Sequence, residues 1–134
     1  MQDFNRTTAV GAVAYFRNCI KIGDVSSALS CFHPEAVYID RDGQELRGLD
    51  QIKKGMQAIC ALKFDISGAT PHITMVGDLA MWMDLWQMSG TTPDGRPIQM
   101  TGHTACIMKK DQVGNWLWLV DNPFGSAVLK DGIL

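Results

Sequence analysis

The chain has 134 residues, of which 46% are hydrophobic and 19% charged, and its formal net charge at pH 7 is −2. That length holds one core and not two, so a single domain over 1–134 is expected, and the apolar balance argues against disorder. No basic run stands behind the charge and no apolar run approaches the roughly 20 residues of a membrane span, so nucleic acid and membrane are both poor partners.

Ala9, Val13, Phe16 and Ile20 recur at helical spacing, with Thr7 or Thr8 able to cap the start and Gly23 just past the end, which predicts a first helix. Tyr15 falls at the edge of that stripe. Asp24 predicts the cap of a short second helix carrying Val25, Ala28, Leu29 and Phe32 on one face, stopped by Pro34. The β-branched and aromatic run 36–40 predicts a strand ending on Asp40, and Gly43 a turn into a second short strand at 44–48. Asp50 is expected to cap a third helix, with Ile52, Met56, Ile59 and Cys60 on one side and Lys53, Lys54 and Gln57 on the other. From Lys63 the pattern changes to alternating segments, about 63–76, 78–89, 97–110 and 115–122. Turns at Gly77-Asp78, Pro93-Asp94-Gly95 and Val113-Gly114-Asn115 join them as an antiparallel meander, with Pro71 at an edge or bulge.

Neither face of this sheet looks made for water. Met81, Met83 and Leu85 alternate with Trp82, Asp84 and Trp86, and Leu117 and Leu119 with Trp116 and Trp118. Three helices can cover one face, and a second copy of the chain is the simplest cover for the other, giving a homodimer through the convex face. The alternative cover is the C-terminal tail with Val128, Leu129 and Ile133.

Cys19, Cys31, Cys60 and Cys106 lie far apart, with no CxxC pair and no histidine at ligand spacing. Buried free thiols are expected, with no metal or other cofactor. The first residues are too polar for a signal peptide, which points to a reducing, cytoplasmic setting.

Three helices followed by a bent antiparallel sheet, the Gly23-Asp24 turn, the Phe32 to Ala36 strand entry and the glycine pair Gly43 and Gly48 resemble a known superfamily. The chain is similar to NTF2-like proteins of the SnoaL-like and ketosteroid-isomerase-like branch, over about Ala9 to Phe124. The resemblance implies an α+β cone, its sheet wrapped around the helices with an apolar pocket at the open end. It also implies a small apolar carbonyl compound as ligand and, for an enzyme, an isomerase, cyclase or dehydratase type of step. Laid against a ketosteroid isomerase, Asp40 falls on the general base. The hydrogen-bond donors for the developing enolate fall on Phe16, which cannot donate, and Cys106, a weak donor. Those two departures leave a noncatalytic ligand-binding or dimerisation module as the alternative.

By the same alignment and strand alternation, Met83, Leu85, Gly102, Thr104, Cys106, Leu119 and Asp121 are expected to line the pocket. Tyr15, Phe16, Phe32, Tyr38 and Met56 are expected to complete it from the helices and first strand. His103 and Trp118 then face the other side; a register slip of one would bring His103 in and take Thr104 out. Asp121 is the second candidate catalytic acid, since two carboxylates sharing a dry cavity push at least one pKa upward. Each acid also has a plainer reading: Asp40 as a turn residue bonding backbone amides near Gly43, Asp121 as an Asx turn ending its strand.

Overall fold

Helix α1 (Ala9–Ile22) is fixed at both ends by its own sequence. Thr8 Oγ1 accepts the Gly11 N–H at 3.0 Å, and Gly23 closes the helix with a φ of 77°, a conformation that a side chain resists. In this computed structural model, which describes residues 3–130, Val13, Phe16 and Ile20 face the core. Helix α2 (Val25–Leu29) is capped by Asp24, which accepts both the N–H and the hydroxyl of Ser27. It is shorter than expected, and Phe32 opens strand β1 (Phe32–Ile39) instead of closing the helix. Pro34 is tolerated there because it lies between Phe32 and Val37, where the ladder is irregular and needs no N–H.

Strand β2 (Glu45–Arg47) leads into helix α3 (Gly48–Ala61), which starts earlier than an Asp50 cap would allow. Arg47 is the cap residue, its side chain makes no capping bond, and Gln51 Oε1 reaches back to the Arg47 N–H at 2.8 Å. Asp50 instead sits in the first turn, where a negative charge favours the helix dipole. Ile52, Met56 and Cys60 form the buried stripe.

The three longest predicted strands are each broken in two. They become β3 (Asp65–Gly68) and β4 (His72–Val76), β5 (Leu79–Met83) and β6 (Leu85–Thr91), and β7 (Pro97–His103) and β8 (Cys106–Lys110); β9 (Trp116–Asp121) stays whole. The halves belong to different sheets, ordered β2-β1-β9-β8-β5-β4 and β3-β6-β7, so the chain bends sharply at 69–71, 84 and 104–105. The pairing is antiparallel except that β9 runs parallel to β1, which a simple meander does not provide. Among the described residues no helix is long and apolar enough to cross a membrane.

Side-chain parity corrects part of the expected pocket. Ala80, Trp82, Asp84 and Trp86 point inward and are buried, while Met81, Met83 and Leu85 lie on the outer face, 44–48% exposed. In β7 and β8 the expected parity holds: Thr104 and Cys106 are buried and His103 is exposed. In β9 the register jumps, Ile107 pairing with Val120 but Met108 with Trp118, so Leu119 is an extra residue in a bulge. Inward parity therefore changes along the strand, and both Trp118 and Asp121 face the interior. The tail does not cover the outer sheet face as far as Val128: residues 125–128 form one 3-10 turn packed on β7, and Leu129 is 74% exposed. Ile133 lies outside the described residues.

Trp86 is flanked across the strands by two glycines, Gly68 and Gly102. A Cβ at Gly102 would stand 2.5 Å from the Trp86 ring. Gly102→Ala is therefore expected to push the indole off its seat and cost about 1–3 kcal/mol in urea denaturation, with a shifted tryptophan emission.

Candidate functional site

Helices α1 and α3 and the inner faces of β3, β6 and β7 leave a cavity of about 390 Å³ between them. Its walls are largely aromatic and aliphatic, with Phe16 and Met56 from the helices, Trp86 and Met88 from β6, Trp118 from β9 and Phe124 beyond it. Five polar residues interrupt this surface: Tyr38, Thr104 and Asp121, which are buried, Arg17, which is nearly so, and Arg41, which is exposed.

Two of the five are occupied with each other's neighbour. Arg17 Nη2 lies 2.9 Å from Asp84 Oδ2, and the Thr104 hydroxyl donates to Asp84 Oδ1 at 2.7 Å while accepting the Asp84 N–H at 2.7 Å. The contact to Arg17 lacks good hydrogen-bond alignment, so Oδ2 is held mainly by charge. A Cβ at Gly68 would overlap both Asp84 and Arg17, so only glycine lets this pair lie against β3.

Asp121 and Tyr38 are register partners across the parallel β1–β9 pair, which sets them side by side in the wall of the cavity. Burial raises the Asp121 pKa from the ordinary carboxylate range to about 7; the Cys106 thiol and the Arg17 charge pull against it, and the Asp84 carboxylate adds to it. Cys106 donates weakly to Asp121 Oδ1 at 3.5 Å, its own pKa raised by burial and by Asp121. The Tyr38 phenol is held protonated by burial and then by the Asp121 and Asp40 carboxylates. Burial and charge account for this, with no hydrogen bond among its causes.

Of the residues expected to form the pocket, Phe16, Tyr38, Met56, Thr104 and Asp121 line the cavity together. The others do not. Phe32 is one layer back, edge-on to Phe16 and Tyr38, and Cys106 is buried behind Asp121. Tyr15 turns toward the N-terminal segment, edge-on to Phe4 and under the Arg6 guanidinium. Met83 and Leu85 are on the outer face, and Leu119 sits in the bulge. Asp40 is outside the lining: its Oδ1 accepts the N–H groups of Asp42 and Gln44, both at 2.9 Å, which is the turn role. No three His, Cys, Asp or Glu side chains among the described residues are grouped to hold a metal ion.

Trp86, Met88, Ile98 and Met100 were not anticipated, yet their strands signalled them. Gln87 and Ser89 in β6, and Gln99 and Thr101 in β7, are polar at alternate positions, so the residues between them must face the apolar side. Arg17 and Arg41 carried no such signal.

A model of the SnoaL-like domain family matches residues 12–113. Among solved structures, an NTF2-like superfamily protein from Salmonella enterica is 19% identical over 91% of this chain and 92% of its own, with a TM-score of 0.75. A proposed ketosteroid isomerase from Shewanella frigidimarina is 18% identical over 88% and 94%, with a TM-score of 0.72. A proposed calcium/calmodulin-dependent protein kinase II association domain from Xanthomonas campestris is 13% identical over 86% of each chain, with a TM-score of 0.75. Likeness at these identities is one of fold. No curated protein matches the sequence. The family match spans most of α1, the helical layer and the strands through β8, and with it the chain belongs to the SnoaL-like domain family, on the NTF2-like fold.

Proposed function

We propose that the protein binds a small, largely apolar carbonyl compound and moves a proton on the carbon next to its carbonyl, as an isomerase or cyclase does. The observation that carries this reading is the pairing of Asp121 with Tyr38 in the wall of an apolar cavity. A carboxyl with a pKa of about 7 can both take and return a proton near neutrality. A neutral phenol in the cavity wall can donate to the oxygen on which charge develops. Tyr38 thus offers the donor that Phe16 cannot. Asp121, not Asp40, is the proton carrier in this reading.

A second copy of the chain is proposed to cover the outer face of the larger sheet. Leu79, Met81, Met83 and Ile107 are each 39–44% exposed there. By contrast, the outer face of β3, β6 and β7 presents, apart from Leu85, Ser67, Gln87, Ser89, Gln99 and Thr101, which suit water. Four buried, unpaired thiols are compatible with a reducing compartment.

Asp121→Asn is expected to abolish turnover of a bound ketone while leaving its affinity, read by tryptophan quenching, within a few-fold; undiminished turnover would refute the assignment. Turnover in the wild type should rise with pH through about 7 and then level off, since the ionised form is the base. The stability effect has the opposite sign. Because the folded-state pKa lies above the ordinary value of 3.8, the folded protein holds this proton more tightly, and wild-type stability falls as pH rises from about 4 to about 7. Asp121→Asn removes that loss, so its chemical denaturation should show a gain over wild type that grows across this window to a few kcal/mol, at about 1.4 kcal/mol per pKa unit.

Asp40→Asn keeps one amide-accepting oxygen and should change turnover little, with a stability loss on the order of 1 kcal/mol. In sedimentation equilibrium the wild type is expected to be a dimer, and Met81→Glu with Ile107→Glu a folded monomer; an unchanged mass would place the interface elsewhere.

A further inference from the structure

Arg41 is the one polar residue of the cavity that nothing in the preceding reading uses. It is exposed yet contributes to the lining, which places it where the cavity meets solvent. Among the described residues no carboxylate lies within 4.0 Å of its guanidinium. Among the described residues neither acid flanking it in sequence pairs with it: Asp40 Oδ1 is engaged by two backbone amides, and Asp42 has no ion pair with a described residue. The cavity's other cation, Arg17, is neutralised by Asp84. The cavity is therefore apolar along its walls, carries a buried proton carrier, and bears at its entrance one positive charge that no described residue pairs.

We infer that the ligand carries a negatively charged oxyacid group at the end remote from its carbonyl, and that Arg41 selects for it. This rests on the reading of the cavity as a ligand site. A guanidinium suits the task because its planar donors match two oxygens of one acid group and its charge does not titrate. With the anion at the entrance, only the uncharged part of the ligand needs to leave water, which avoids the penalty of burying a charge.

A matched pair of dyes tests this: N-phenyl-1-naphthylamine, which is neutral, and 8-anilino-1-naphthalenesulfonate, the same skeleton bearing a sulfonate. Cavity binding is taken as the fluorescence enhancement lost in Met88→Trp, which fills the cavity from β6. Wild type is expected to bind the sulfonate about fivefold to tenfold more tightly than the neutral dye, a preference that shrinks as salt is raised. Arg41→Gln should abolish the preference and leave neutral-dye affinity within twofold; as an exposed turn residue, its replacement should leave the thermal midpoint unchanged. Equal wild-type affinities for the two dyes, or a preference that survives Arg41→Gln, overturns the anion site alone. Failure of the neutral dye to bind the cavity overturns the apolar ligand site itself, and the inference with it.

Discussion

The structure depends on a junction of three side chains around Asp84. This residue stands where the chain leaves β5 in one sheet and enters β6 in the other, and Thr104 stands at the matching bend between β7 and β8. Their backbones are tied by Thr104 N–H to the Asp84 carbonyl at 2.9 Å and by Asp84 N–H to the Thr104 hydroxyl. Arg17 adds helix α1 to the same point. Each partner answers a cost created by the others: two strands that bend together leave ladder groups open, and a buried carboxylate that closes them requires a cation. The glycine at 68 supplies the space.

That junction also sets the electrostatics of the cavity. A buried arginine close to Asp121 would ordinarily hold its carboxyl ionised, but here the guanidinium is matched by Asp84, and the two act on Asp121 with opposite signs. Desolvation is then the largest influence left, and it favours the protonated acid. Tyr38, next to it across the strands, experiences the same dry surroundings and stays a donor. The junction keeps the surroundings of Asp121 near electrical balance, which allows this acid to titrate near neutrality.

Much of the fold was legible in the sequence because it is written in local chemistry. Thr8, Asp24, Gly23 and the glycine turns act within a few residues of themselves, and each stands where expected. The site was only half legible because it depends on two non-local departures from regular alternation. Carrying one parity from Met81 through Leu85 took no account of Gln87 and Ser89, whose polarity already assigned the opposite parity. The bulge at Leu119 has no signature in a strand that is apolar at nearly every position from Trp116 to Val120; it became visible only in the register with β8. Asp40 was drawn in by its alignment with a general base, and the turn beside it is what occupies its carboxylate. Arg17 and Arg41 belong to a further class: their meaning depends on which partner each one has, and a sequence does not state partners.

The position of β9 bears on how the chain can be made. Among the described residues it is the last strand in sequence, but it lies inside the larger sheet, between β1 and β8, and its parallel partner β1 is separated from it by most of the chain. A growing chain that ends before Trp116 therefore presents two open sheet edges and leaves Phe16 and Phe32 without the indole of Trp118, which Phe16 meets edge-on. Assembly is bound to wait for the final strand, since the contacts that close the sheet are among the most distant in sequence. During synthesis the N-terminal helices and β1 remain incompletely covered until the last strand arrives, and it is in this interval that the protein is most exposed to mispairing.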